Sequence, residues 1–145
     1  MKKLSYLFLF TLLTACTLNS RQEEHLNRQM GRYLDATNKN LLLEVIGMTQ
    51  PDVVKYYKSL GDSALVHHFD KNKNLSRGYL RDVYYKDMKS EKKIIQRMYT
   101  AKEVTNSGVQ DTKIYTLSND GGNNWFFLRD EEYHDDRINF KRLFP

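Results

Sequence analysis

Near Gly61 the spacing of apolar residues changes from a period near 3.6 to a period near two. That change constrains the fold more than any other feature, because one period lines a helix and the other lines a half-buried strand. Upstream, Leu26, Met30, Tyr33 and Leu34 fall at i, i+4, i+7 and i+8, one face of a helix. Leu41, Leu42, Val45 and Ile46 continue that face after a break at "ATNKN". "GMTQPDVVKYYKSLG" (47–61) predicts a second helix. In it Thr49 stands as cap with Asp52 three residues on, Pro51 sits in the first turn, and Met48 and Val53 form a staple. Gly61 ends that helix.

Downstream, strands are expected at "ALVHHF" (64–69), "GYLRDVYYK" (78–86) and "KKIIQRMYTAKEV" (92–104). Others are expected at "TKIYTLS" (112–118), "NWFFLR" (124–129) and "RINFKRLF" (137–144). "NDGGN" reads as a hairpin turn. A helix over 75–95 stays open, although Gly78 and the paired tyrosines argue against it. Two helices followed by four to six antiparallel strands form an α+β domain, with the helices packed on one face of the sheet. The aromatic content of 12% suits a sheet and is too high for a disordered tether.

The start of the chain bears on location. Lys2 and Lys3 precede a short apolar run, Leu4 to Leu13, far below the roughly 20 residues of a spanning helix. Basic head, apolar run and small residues together describe a secretory signal. Leu13-Thr14-Ala15-Cys16 resembles the lipobox of bacterial lipoproteins. The resemblance implies cleavage after residue 15, diacylglycerol on the Cys16 sulfur and an acylated amino group, labelled by palmitate. Several chains on one residue would hold a soluble domain at the bilayer, where one chain binds marginally. The domains are then a signal peptide (1–15), a lipidated tether (16–23) and one domain (24–145). Thr17 in place of Asp resembles sorting to the outer membrane, facing the periplasm.

Loss of Lys2 and Lys3 takes the formal charge from +5 to +3, with both signs mixed along the chain. This argues against a nucleic-acid partner. It leaves room for weak attraction to acidic lipid headgroups.

"LLLEVIGMTQPDVVKYYKSLG" resembles the BamE-like SmpA/OmlA group of small outer-membrane lipoproteins. Gly47, Met48, Thr49, Gln50 and Val53 match its pattern, in which Gly-Met-Thr starts the second helix and a three-stranded sheet follows. The resemblance implies support of outer-membrane assembly, without catalysis or cofactor. Here Gly61 is followed by Asp62, and the chain from about residue 90 has no counterpart in the group. "DVVKYYKSLGDSALVHHFD" and "DTKIYTLSNDGGNNWFFLRDE" also resemble cone-shaped domains of the nuclear-transport-factor-two superfamily. There a helix, a Gly-Asp and a second short helix lead to a curved sheet.

Candidate chemistry is thin. His67 and His68 would point to opposite faces of a strand, leaving His68 and Asp70 on one face, and two ligands make no metal site. "DKNKNLS" places oxygens at Asp70, Asn72 and Asn74 like a calcium loop, but Leu75 and Arg81 occupy the positions that need Gly and Glu. Ser118 to Trp125 resembles an Asp-box turn, with Asp120 bonding its own backbone and Trp125 in the core or at its rim. "RDEEYHDD" (129–136) reads as a solvated turn. No catalytic residue, metal or cofactor is assigned. Two functions remain. One is a structural or assembly factor of the cell envelope, docking on an envelope protein through Tyr79, Tyr84 and Tyr85. The other is a protective binder, an immunity protein or hydrolase inhibitor.

Overall fold

The structure, a computed structural model, describes residues 18–145. The signal segment and Leu13, Thr14, Ala15 and Cys16 lie outside the described residues. Four helices precede the sheet, α1 (Ser20–Asn38), α2 (Leu42–Met48), α3 (Pro51–Ser59) and α4 (Asp62–Phe69). The strands β1 (Tyr79–Glu91), β2 (Ile94–Thr105), β3 (Gly108–Ser118) and β4 (Phe126–Arg129) form one antiparallel sheet in the order of the chain. A short α5 (Asp130–Tyr133) follows. The α+β reading holds, with four helices before the sheet where the sequence suggested two.

Residues 20–23 belong to a helix and not to a tether. Asn19 accepts from Gln22 N, and the Gln22 side chain returns to Asn19 N, a reciprocal cap that satisfies two orphan donors. Asn40 at φ 55° breaks the chain between α1 and α2, inside the "ATNKN" break. The cap of α3 is Gln50 and not Thr49: its side-chain oxygen accepts from Asp52 N and Val53 N, with Pro51 in the first turn. Gly47 and Met48 close α2, and the Thr49 hydroxyl donates to Val45 O at 2.7 Å. With the cap at Gln50, Met48 and Val53 no longer stand at the two staple positions, although Val53 is fully buried and Met48 packs against the same core.

"ALVHHF" is helical. Gly61 at φ 113° both ends α3 and precedes α4, Asp62 sits in the first turn, and the two histidines sit in the last. The Asp62 placement favours the helix dipole. Six apolar-rich residues fit either period, and Leu65 and Phe69 meet the sheet-facing core one turn apart. Within 75–95, Tyr79–Glu91 is strand, Lys92 and Lys93 form the turn, and β2 starts at Ile94. "RINFKRLF" is no strand. Its backbone is held by side chains: Leu143 N and Phe144 N donate to the Tyr133 hydroxyl, while Arg142 Nη2 donates to Asp135 O and Ile138 O.

Successive strand residues point to opposite faces. On the inner face, Leu80, Tyr99, Ala101, Ile114 and Phe127 pack beneath the helices. Tyr33 of α1 stacks on Phe127 with ring centres 4.6 Å apart. On the outer face, the segment after β4 covers one end of the sheet: Tyr133 stacks on Tyr115 at 3.8 Å, and Phe144 adjoins both.

Gly78 stands just before β1 at a place where only hydrogen fits. A Cβ there would lie 2.2 Å from Val104 O and 2.6 Å from its carbonyl carbon, both backbone atoms that cannot swing aside. Gly78→Ala is expected to destabilise the domain by about 1–3 kcal/mol, the usual scale of overpacking. Urea unfolding checks this, and an unchanged midpoint would refute the close approach.

Candidate functional site

The register shows what the C-terminal segment leaves uncovered. Tyr79, Val104 and Val109 form one row across β1, β2 and β3 on the outer face. Arg81, Lys102 and Asp111 form the next, and Tyr84, Thr100 and Lys113 the third. Tyr79 is 51% exposed, Tyr84 62% and Val109 55%. Lys102 and Asp111 are ion-paired, and that carboxylate raises the Lys102 pKa above its ordinary value. Leu75, largely exposed, joins Tyr79 and Val104 at the rim of a surface hollow of about 440 Å³. Tyrosine offers apolar area with a polar tip and little side-chain entropy to lose, which suits a protein contact.

The three tyrosines do not share one face. Tyr84 pairs with Thr100 and Tyr85 with Tyr99, so Tyr85 points to the helix side. There its ring meets Tyr99 edge-on at 6.0 Å, and the Arg97 guanidinium lies 4.7 Å above it. Tyr79 and Tyr84 alone belong to the uncovered face. Gly47, Met48 and Thr49 lie away from it, at the α2–α3 junction, where Gln50 N donates to Phe127 O of β4.

A buried ionic cluster lies elsewhere. Glu132 is 1% exposed, within the acidic run that reads as a solvated turn. Arg77 Nη2 donates to Glu132 Oε1, His68 Nε2 lies 2.7 Å from the same oxygen, and Arg129 N donates to Oε2 at 2.7 Å. His68 Nε2 also lies 2.9 Å from Arg77 Nη2, so this one ring nitrogen sits between a group that only donates and a carboxylate that only accepts. The Tyr57 ring stacks on His68 at 3.6 Å. Arg129 Nη2 in turn donates to Glu103, which also accepts from Gly78 N at 2.8 Å. Burial alone would raise the Glu132 pKa, but the Arg77 charge and the His68 hydrogen bond outweigh it and bring it down to about 2. Burial likewise pushes the Tyr57 hydroxyl up to about 12. The cluster ties α4, the start of β1, β2, β4 and α5 together with its charges matched internally.

His68 therefore pairs with Glu132 and Arg77, and not with Asp70. Asp70 accepts from Asn40 Nδ2 and Asn72 N, a turn that follows α4. Among the described residues, no group of three His, Cys, Asp or Glu could hold a metal ion. Asp120 organises its turn as the Asp-box resemblance implies, accepting from Asn123 N and Asn124 N. Trp125 is buried against Leu26 and Ile95. The sequence carried no sign of the Glu132 cluster, because its members are far apart in the chain. Comparison with protein-family models, curated proteins and solved structures finds no match to this chain.

Proposed function

We propose that this chain is a lipid-anchored bacterial envelope protein that works by protein contact, as a structural or assembly factor facing the periplasm. The observation that carries the contact reading is the uncovered outer face, where Tyr79, Val104, Val109 and Tyr84 stand on a rigid sheet. The lipobox-like Leu13-Thr14-Ala15-Cys16 supports the anchor. No helix among the described residues is long and apolar enough to cross a membrane.

Cys16→Ala is expected to abolish palmitate labelling and to release the protein from membranes. Unchanged labelling would remove the anchor from the proposal. Crosslinking in cells, with mass spectrometry of the captured partners, tests the contact. Capture of an envelope complex, lost in Tyr79→Ala/Tyr84→Ala, supports it. Capture that survives this double substitution places the contact elsewhere.

A further inference from the structure

The domain begins almost at the anchor. Leu18 packs against the cluster of Leu26, Ile95 and Trp125, and Asn19 caps α1. Only Thr17 separates Leu18 from Cys16. Two Cα steps span at most about 7 Å. A lipid on Cys16 therefore holds this end of the domain within one Debye length of the headgroups, about 8–10 Å.

That end is basic. Arg21, His25 and Arg28 follow one another along α1 and line an open hollow of about 480 Å³ beside Gly122 and Asn123. The β1–β2 hairpin tip, Lys92 and Lys93, lies beside them, because Gly121 N donates to Lys93 O at 2.9 Å. The acids nearby are engaged. Glu23 holds Arg97 through both carboxylate oxygens, Glu24 pairs with Arg28 at 2.9 Å, and Glu91 pairs with Lys141. Asp120 is held by its own turn. The uncovered row Tyr79–Val104–Val109 lies at the opposite end of β2, nine residues and about 30 Å from Ile95.

We propose that the end formed by the start of α1, the Lys92–Lys93 tip and the Ser118–Trp125 turn rests directly on an anionic bilayer. Arg21, Lys92 and Lys93, with Arg28 beside its Glu24 partner, face its headgroups, and Tyr79, Val104 and Val109 point away into the periplasm. The proposal rests on Cys16 as the anchor. It makes the domain an oriented platform and not a body on a flexible leash.

The test uses residues 16–145, which contain every described residue of both core clusters. Cys16, the one thiol, is coupled to a maleimide lipid in phosphatidylglycerol nanodiscs that carry gadolinium headgroups. Amide signals of residues 18–28, 91–94 and 119–124 are expected to lose most of their intensity, while those of 104–109 keep theirs. Uniform loss, or loss centred on 104–109, overturns the seating. In a second arm the Cys16→Ser chain is sedimented with vesicles. It is expected to bind phosphatidylglycerol over phosphatidylcholine. Arg21→Ala/Arg28→Ala/Lys92→Ala/Lys93→Ala is expected to weaken this tenfold or more, each basic residue near the surface being worth roughly fivefold. Equal binding to both lipids, or an unaffected variant, also overturns it. The coupled lipid reads the seating whether or not cells acylate Cys16, and palmitate labelling alone reads the acylation.

Discussion

Glu132→Ala is expected to lower the free energy of unfolding by about 3–5 kcal/mol, the scale of breaking a buried ion pair from one side. The substitution removes the carboxylate that Arg77, His68 and Arg129 N share and leaves the buried Arg77 only the half-exposed Glu131, 3.6 Å away. Arg129 keeps its Glu103 partner but loses the acceptor of its backbone N, and among the described residues its Nε and Nη1 have no partner to compensate. Urea unfolding measures the loss, and a change below about 1 kcal/mol would show that the cluster contributes little. The pH dependence has a definite sign. The folded-state pKa of Glu132 is depressed, so its contribution is present above the ordinary value of 4.5 and is lost as the pH falls through about 2. Glu23, lowered by its hydrogen bond to Arg97, acts in the same direction. Stability should therefore decline between about pH 4.5 and pH 2. Glu132→Gln should flatten much of that decline, and an equally steep loss in the variant would assign it to other carboxylates.

Phe127→Ala is expected to cost about 3–5 kcal/mol, since it empties a fully buried site beneath α1. Its ring stacks nearly parallel on Tyr33, and its carbonyl accepts from Gln50 N, so β4 joins the sheet to the entrance of α3. With only four residues in β4, lost packing has little ladder to fall back on. Thermal unfolding should show a fall in Tm of about 10 °C or more. A double cycle with Tyr33→Ala should return a coupling of about 0.5–1.5 kcal/mol, and full additivity would mean that the stacked pair adds nothing beyond buried area.

Much of the helical half was readable from local chemistry. Pro51 in a first turn, Gly61 past a last turn and the 26–30–33 stripe each act through their own neighbours, and all three stand in the structure. The reciprocal cap of Asn19 with Gln22 was equally local, and it marks residues 20–23 as helix within a stretch whose polarity suggests a tether. Thr49 and Gln50 both carry an oxygen able to cap. Which one does so is decided by the bond from Gln50 N to Phe127 O, a partner 77 residues away that no local pattern contains.

The strands between Tyr79 and Arg129 follow from alternation and turn residues, and so the α+β class could be read from the chain itself. Tertiary structure decided the rest. "ALVHHF" satisfies either period, and it becomes a helix because His68 and Phe69 must reach Glu132 and the core together. "RINFKRLF" alternates like a strand, yet the Tyr133 hydroxyl and the Arg142 guanidinium take the backbone bonds that a ladder would need. Tyr84 and Tyr85, neighbours in a strand, must point to opposite faces, but register against β2 decides which of them meets the helices, and only the covering of one sheet end by Tyr133 and Phe144 makes the other end a surface. Periodicity determines which residues want burial, because it is a property of neighbours. Which partner buries them depends on residues scores of positions away, and that is settled only when the chain has folded.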